Sequence, residues 1–184
     1  RLPAARLLYH RGVGGARHPP LAAVLSMPVI ELTLRIAAPV ERVFDLARSI
    51  DLHLASIAGS GERAITGVTT GLIGPGESVT WHARHFLIWQ TLTSRITAFD
   101  RPHHFQDSMV EGAFTSFVHD HHFSAADAAT VMIDRLDYRA PFGVLGAVVS
   151  RLVLDRHLRR LLVERNRVIA RTAESLDWRQ YLPG

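Results

Sequence analysis

Several imidazoles and carboxylates in this chain stand where only large apolar side chains are expected. In Phe117-Val118-His119-Asp120-His121-His122-Phe123 an extended backbone turns every second side chain to one face, so His119 and His121 share a face with Phe117 and Phe123. The same parity sets Asp107 beside Phe105 and Met109, His85 beside Trp81 and Ala83, and Asp134 beside Met132, Leu136 and Tyr138. Strand faces this apolar are normally buried and free of ionisable groups. Three kinds of chemistry fit the exception. The charges pair with one another as structural ion pairs, or they supply the few polar contacts of a mainly apolar ligand pocket, or an Asp–His pair works as general acid and base. The His119-x-His121 spacing also turns two imidazoles to one side, as a metal needs, but the sequence defines no third ligand. Neither a metal nor a cofactor is expected.

An arginine belongs with this group. At about 100° per residue, Leu154, Leu158, Leu161, Leu162, Val168, Ile169 and Leu176 form one stripe of a C-terminal helix, and Arg165 lies within it. Arg156, Arg159, Arg160, Arg167 and Arg171 fall on the other side, as a solvated face does. Leaving a guanidinium unpaired against a sheet is expensive, so Arg165 is expected to reach Asp134 or Asp107, or an anionic group of a ligand. Upstream, Leu145, Val148, Val149 and Leu152 form a stripe nearly opposite the first. One straight helix cannot bury both against one sheet, which predicts a break or kink near Val153–Asp155, or a first turn and a half that packs on something else.

The elements that must hold these groups follow from pattern and punctuation. A strand over 29–37 leads to Ala38-Pro39, with Pro at the first turn of a short helix carrying Val40, Val43, Phe44 and Leu46. A second short helix is expected over 51–58. Runs rich in β-branched and aromatic residues follow at 62–69, 76–87, 89–100, 103–111, 114–124 and 129–139, separated by turns such as Gly74-Pro75-Gly76 and Asp100-Arg101-Pro102. From Phe142 to about Leu176 the pattern is helical. The layout is α+β, a curved antiparallel sheet gripping a helix.

Composition bounds what such a domain does. With 184 residues and 47% hydrophobic content, the chain makes one domain of ordinary size. Residues 1–26 read as a disordered extension or as sequence upstream of the natural start, 27–178 as a single domain, and 179–184 as a tail. All 21 basic residues are Arg, and the net charge of +4 comes without the interleaved Arg and aromatic residues of a nucleic-acid platform, so no nucleic-acid partner is expected. The apolar piece Leu21–Leu25 is too short to span a membrane. With no Cys, disulfides and thiolate chemistry are excluded, which fits a cytoplasmic location. Gly12-Val13-Gly14-Gly15 has no strand before it, which excludes a nucleotide loop there. Gly71-Leu72-Ile73-Gly74-Pro75-Gly76 lacks the Lys-Ser/Thr ending of a phosphate loop and is expected as a flexible connection beside the cavity mouth.

Several motifs together carry a resemblance. Ile36-Ala37-Ala38-Pro39-Val40-Glu41-Arg42-Val43-Phe44, Val79-Thr80-Trp81 leading to Arg84-His85-Phe86, Asp107-Ser108-Met109 with Gly112 and Phe114, His119-Asp120-His121, and Leu161-Leu162 to Arg165-Asn166 are similar to the START-like, polyketide cyclase/dehydrase-like helix-grip superfamily (SRPBCC) over residues 28–175. The chain most resembles a bacterial branch with no assigned reaction. The resemblance implies an antiparallel sheet of six to seven strands wrapped around a long C-terminal helix, two short helices after the first strand, and a hydrophobic cavity between sheet and helix. Members bind lipids, sterols, hormones or aromatic polyketide intermediates, and some catalyse cyclisation or dehydration; no catalytic set carries over residue by residue. The expected ligand is therefore a small hydrophobic or amphipathic molecule, in a pocket lined by Trp81, His85, Phe105, Asp107, Met109, Phe117, His119, His121, Asp134, Tyr138 and Arg165. The alternative is a cyclase or dehydratase that uses an inward Asp and His as acid and base.

Overall fold

The computed structural model describes residues 29–58, 61–85, 88–139 and 153–183. The expected N-terminal extension, and the helical pattern from Phe142 to Leu152, lie outside the described residues. Strand β1 (Val29–Ile36) is followed by α1 (Val40–Ala47) and α2 (Ile50–Ser56), then by β2 (Arg63–Gly67), β3 (Ser78–His85), β4 (Ile88–Asp100), β5 (His104–Gly112), β6 (Ser116–Ala126) and β7 (Ala129–Arg139). Helix α3 (Asp155–Glu174) and a single 3-10 turn (Asp177–Gln180) follow. The seven strands form one antiparallel sheet in the order β1-β7-β6-β5-β4-β3-β2. Sequential strands are neighbours from β2 to β7, and β1 closes onto β7, which brings the start of the domain beside its last strand.

Local chemistry explains the two short helices. Pro39, with φ −59°, precedes α1 and has no N–H to leave unsatisfied. Ser49 caps α2 by accepting from the Leu52 amide at 3.3 Å. Helix α1 drives Phe44 edge-on against Phe99, Phe105 and Phe123, with ring centroids 5.4, 5.4 and 5.3 Å away. Such pairs contribute about 0.5–1.5 kcal/mol each beyond burial, so one ring fastens α1 to the sheet. Asp45, one residue on, accepts from Arg101 Nη2 at 2.6 Å and from Arg48 Nε at 2.8 Å, tying the helix to the β4–β5 turn.

Helix α3 lies across the inner face and buries Leu162, Arg165, Asn166, Ile169, Ala170, Thr172 and Ala173. It packs against α1, α2 and β1. Val153 and Leu154 just before it are in π-type helical backbone, at the position where the two apolar stripes change sides. The stripe is shorter than its sequence pattern. Helix α3 ends at Glu174 because Ser175 is extended, and Leu176 is left exposed. Tyr181 and Leu182 are partly buried against the main core with Trp178, over which the Arg42 guanidinium lies at 4.6 Å.

The connection 71–76, expected to be flexible, is pinned. Gly71 N–H donates to Asp51 Oδ2 at 2.8 Å, its carbonyl accepts from Ile50 at 2.9 Å, and Gly76 N–H reaches the Ile96 carbonyl at 3.0 Å. Ile73 is consequently in the core rather than on a free loop. Among the described residues no helix is long and apolar enough to cross a membrane.

Candidate functional site

Register brings the ionisable groups together. Across β5, β6 and β7, Asp107 is opposite His119 and His119 opposite Leu136; one step along, Phe105 is opposite His121 and His121 opposite Asp134. Asp107 and His121 are therefore diagonal neighbours on the inner face, within reach of long side chains. His121 uses both ring nitrogens: Nδ1 is 2.5 Å from Asp134 Oδ1, and Nε2 is 3.2 Å from Asp107 Oδ1. An ionised carboxylate only accepts, so an imidazole that bonds to two of them must donate twice, and only the imidazolium does so. Phe105 stacks on this ring with centroids 4.1 Å apart.

Arg165 completes the cluster from the helix. Its Nη1 donates to Asp134 Oδ2 at 3.3 Å, and its Nη2 to the Ala47 carbonyl, at the end of α1, at 2.8 Å. Two cations, Arg165 and His121, thus face two anions, Asp107 and Asp134, and the buried quartet is neutral. Burial, the largest influence, pushes the Asp134 carboxyl up, yet the charge and hydrogen bond of His121 and the Arg165 charge hold it well below the ordinary carboxylate value. Asp107 is lowered on the same balance, with the His121 hydrogen bond the leading opposing influence.

His119 is different. Its ring lies 3.9 Å from that of His121, and burial together with the His121 charge pushes its pKa down, so it is the neutral member. Its Nε2 is buried without a hydrogen-bond partner, 3.6 Å from Asp134 Oδ1, and its Nδ1 is 4.0 Å from Asp107 Oδ1. Asp107 is the more open of the two carboxylates, with 21% of its side chain exposed against none of Asp134.

These groups open onto a cavity of about 690 Å³ between the sheet and α3. Of the residues expected to line it, Trp81, Phe105, Asp107, Phe117, His119, His121 and Arg165 border it. Three others do not. Asp134 is fully buried behind His121, and Tyr138 is buried in a smaller apolar cluster with Ile30, Leu136 and Leu162. There burial, aided by the Asp155 charge, pushes its phenol up to about 12. Met109 lies opposite Ser94, just before an irregularity in the β4–β5 register, and its Sδ occupies the space a side chain on Gly112 would fill. For His85 only the backbone, at the end of β3, belongs to the described residues.

Other polar residues at the cavity escaped sequence reasoning. The ring of His53 on α2 packs at a tilt of 34° against Trp81 with centroids 4.3 Å apart, and its Nε2 is 3.0 Å from Glu62 Oε1. Gln90, Ser94 and His157 also border the space. A histidine inside the short apolar helix 51–58 was the one available signal for His53. Asp107, His119 and His121 have donor atoms that all lie within 4.8 Å of one another, which supplies the third metal ligand the sequence did not define. His121 already donates to Asp107, and Arg165 is close, so a cation there would displace an existing ion pair.

No protein-family model matches the chain, and no curated protein matches it in sequence. Solved structures do match. The aromatase/cyclase Zhui from Streptomyces sp. R1128 is 17% identical with a TM-score of 0.65, over 81% of this chain and 94% of that one. The protein TTHA0849 from Thermus thermophilus is 16% identical with a TM-score of 0.62, over 79% and 99%. The major latex-like protein 151 of Panax ginseng is 16% identical with a TM-score of 0.56, over 85% and 99%. Identities this low carry the fold and not the function: the chain shares the helix-grip fold of these structures.

Proposed function

We propose that this protein binds a small hydrophobic or amphipathic molecule between its sheet and α3, with the ligand's polar end at Asp107 and His119. The observation that carries this reading is a cavity of about 690 Å³, of ligand size, whose wall is mostly apolar and whose polar groups include one neutral ion cluster. Within that cluster His121, Asp134 and Arg165 satisfy one another. Asp107, with 21% of its side chain exposed, and the ring of His119, which borders the space, are left to meet a ligand hydroxyl, carbonyl or N–H. Trp81, Phe105 and Phe117 provide flat apolar walls suited to a ring or chain. Native mass spectrometry of the purified full chain is the direct test. Co-purifying lipophilic compounds, or saturable one-to-one uptake of an environment-sensitive hydrophobic dye that weakens in Asp107→Asn and His119→Phe, supports the reading. Absence of both refutes it.

A second reading is favoured by the paired Asp and His and by the neutral imidazole. In a cyclase, the neutral His119 imidazole would take a proton from a carbon between two carbonyls; that carbon would then bond to a ketone carbon further along the substrate. The proton returns to the resulting alkoxide, and loss of water follows. Two matched proteins sharpen the choice without deciding it, since Zhui is an aromatase/cyclase and the ginseng protein is described only as latex-like. Incubation with linear poly-β-carbonyl compounds, read by loss of the mass of one water, separates catalysis from simple uptake. Turnover abolished in His119→Phe while the dye still binds would establish the enzymatic reading.

A further inference from the structure

The opposite face of β5 and β6 carries a second group of histidines and a carboxylate. His104 lies directly across from His122, and Gln106 across from Asp120, in the same antiparallel pairing that sends Phe105 and His121 inward. His104, Gln106, Asp120 and His122 therefore share the outer face, away from α3 and from the cavity. His104 Nε2 is 3.0 Å from Asp120 Oδ1, and the imidazoles of His104 and His122 stack with centroids 4.5 Å apart.

From this geometry we infer that His104, Asp120 and His122 form a surface site for a divalent transition metal of the zinc type. Their donor atoms all lie within 4.8 Å of one another. With metal–ligand bonds of about 2.0–2.2 Å, tetrahedral coordination separates adjacent nitrogen and oxygen donors by about 3.3 Å. The His104–Asp120 edge at 3.0 Å is thus already of the right length. Inserting the metal replaces the His104–Asp120 hydrogen bond, with Nε2 coordinating through its lone pair. His122 is exposed, so turning its ring in to provide the third donor gives up only its stacking on His104. Gln106 Nε2 donates to Asp120 Oδ1 at 2.9 Å and orients the carboxylate as an outer partner does in built metal sites. Two imidazoles and a carboxylate suit zinc, cobalt, nickel or copper better than magnesium or calcium, which take oxygen ligands. Three protein ligands leave a fourth position for water. Asp100, opposite His104 on β4, adds negative charge at one side, while Arg135, opposite Asp120 on β7, opposes the cation at the other.

The test uses tag-free full-length protein, stripped of metal with a chelator and titrated with Co2+ read by its visible absorption, then with Zn2+ as competitor. The expected result is one equivalent of Co2+ bound in a site of low coordination number and displaced by Zn2+. Affinity should fall at least about tenfold in His104→Ala, Asp120→Asn and His122→Ala, rise in Arg135→Ala, and stay unchanged in His119→Phe, with each variant folded by circular dichroism. Binding that survives loss of His104 and His122 but disappears in His119→Phe would place any metal at the interior cluster and overturn the inference. So would the absence of a Co2+ spectrum at millimolar metal.

Discussion

Arg165 shows how a single side chain is placed by its helix and used by its sheet. The guanidinium bridges Asp134, on the inner face, and the Ala47 carbonyl, at the end of α1, so it joins three elements at one point. Removing one partner of a buried pair strands the other, and Arg165→Met is expected to lower unfolding free energy by about 3–5 kcal/mol in urea titration. A loss under about 1 kcal/mol would mean that Asp134 is satisfied by His121 alone. The histidines beside it predict a pH profile. His121 is shifted up from 6.5 because, although burial opposes the cation, the Asp134 charge and two carboxylate hydrogen bonds outweigh it. Its stabilisation is complete below pH 6.5 and is lost as pH rises through the raised folded value. Asp107 and Asp134 are shifted down from 3.8, and His119 down from 6.5, so their contributions are complete above those values and lost as pH falls through the lowered ones. Unfolding free energy should therefore pass through a maximum in mildly acidic to neutral solution and decline on both sides. Nitrogen NMR of the imidazoles should find His121 doubly protonated at neutral pH and His119 neutral. A neutral His121 under those conditions would contradict the two-carboxylate geometry.

At the scale of elements, the site depends on connections that hold the strands in one register. Gly67, at the end of β2, has φ +76°, and a Cβ there would stand 2.1 Å from the Ser78 carbonyl oxygen. Gly67→Ala combines left-handed strain with a backbone clash, and a destabilisation of at least about 1–3 kcal/mol is expected, with loss of the β2–β3 amide protection in hydrogen exchange. Asp45 provides the other tie. Burial pushes its carboxyl up, but the hydrogen bonds and charges of Arg101 and Arg48 hold it below the ordinary value, so this tie is present above pH 3.8 and released as pH falls through the lowered folded value. Asp45→Asn should cost about 1–3 kcal/mol at neutral pH, measured by urea unfolding, and a smaller amount below pH 3.8. Equal effects at both pH values would show that the arginines are satisfied elsewhere. Most of these elements were legible beforehand because β-branched runs broken by Gly, Pro and Asp define strands locally. The end of α3 was not. Leu176 keeps the helical phase in sequence, but the backbone turns extended at Ser175, and phase alone does not register a termination.

For the molecule as a whole, the space between sheet and helix is the property to test. A ligand that binds only the folded state stabilises it by about 2.7 kcal/mol at a hundred times its Kd, so uptake is readable as a rise in melting temperature. Ala83, buried on β3 at the cavity wall, is a place to fill it. Ala83→Leu should keep or raise the melting temperature of the free protein while removing the shift produced by a hydrophobic dye; an undiminished shift would place the dye elsewhere. Sequence alone determined the α+β layout, the alternation of inner and outer faces and the inward direction of Arg165, because each follows from the period of a strand or helix. Tertiary structure decided which inward groups meet. Parity assigns Asp107, Asp134, His119 and His121 to one face, but strand register makes His121 the bridge between both carboxylates and leaves His119 Nε2 without a partner. It likewise seats Tyr138 and Asp134 behind the wall, since burial depth depends on what α1 and α3 cover, and covering is a contact between segments distant in the chain.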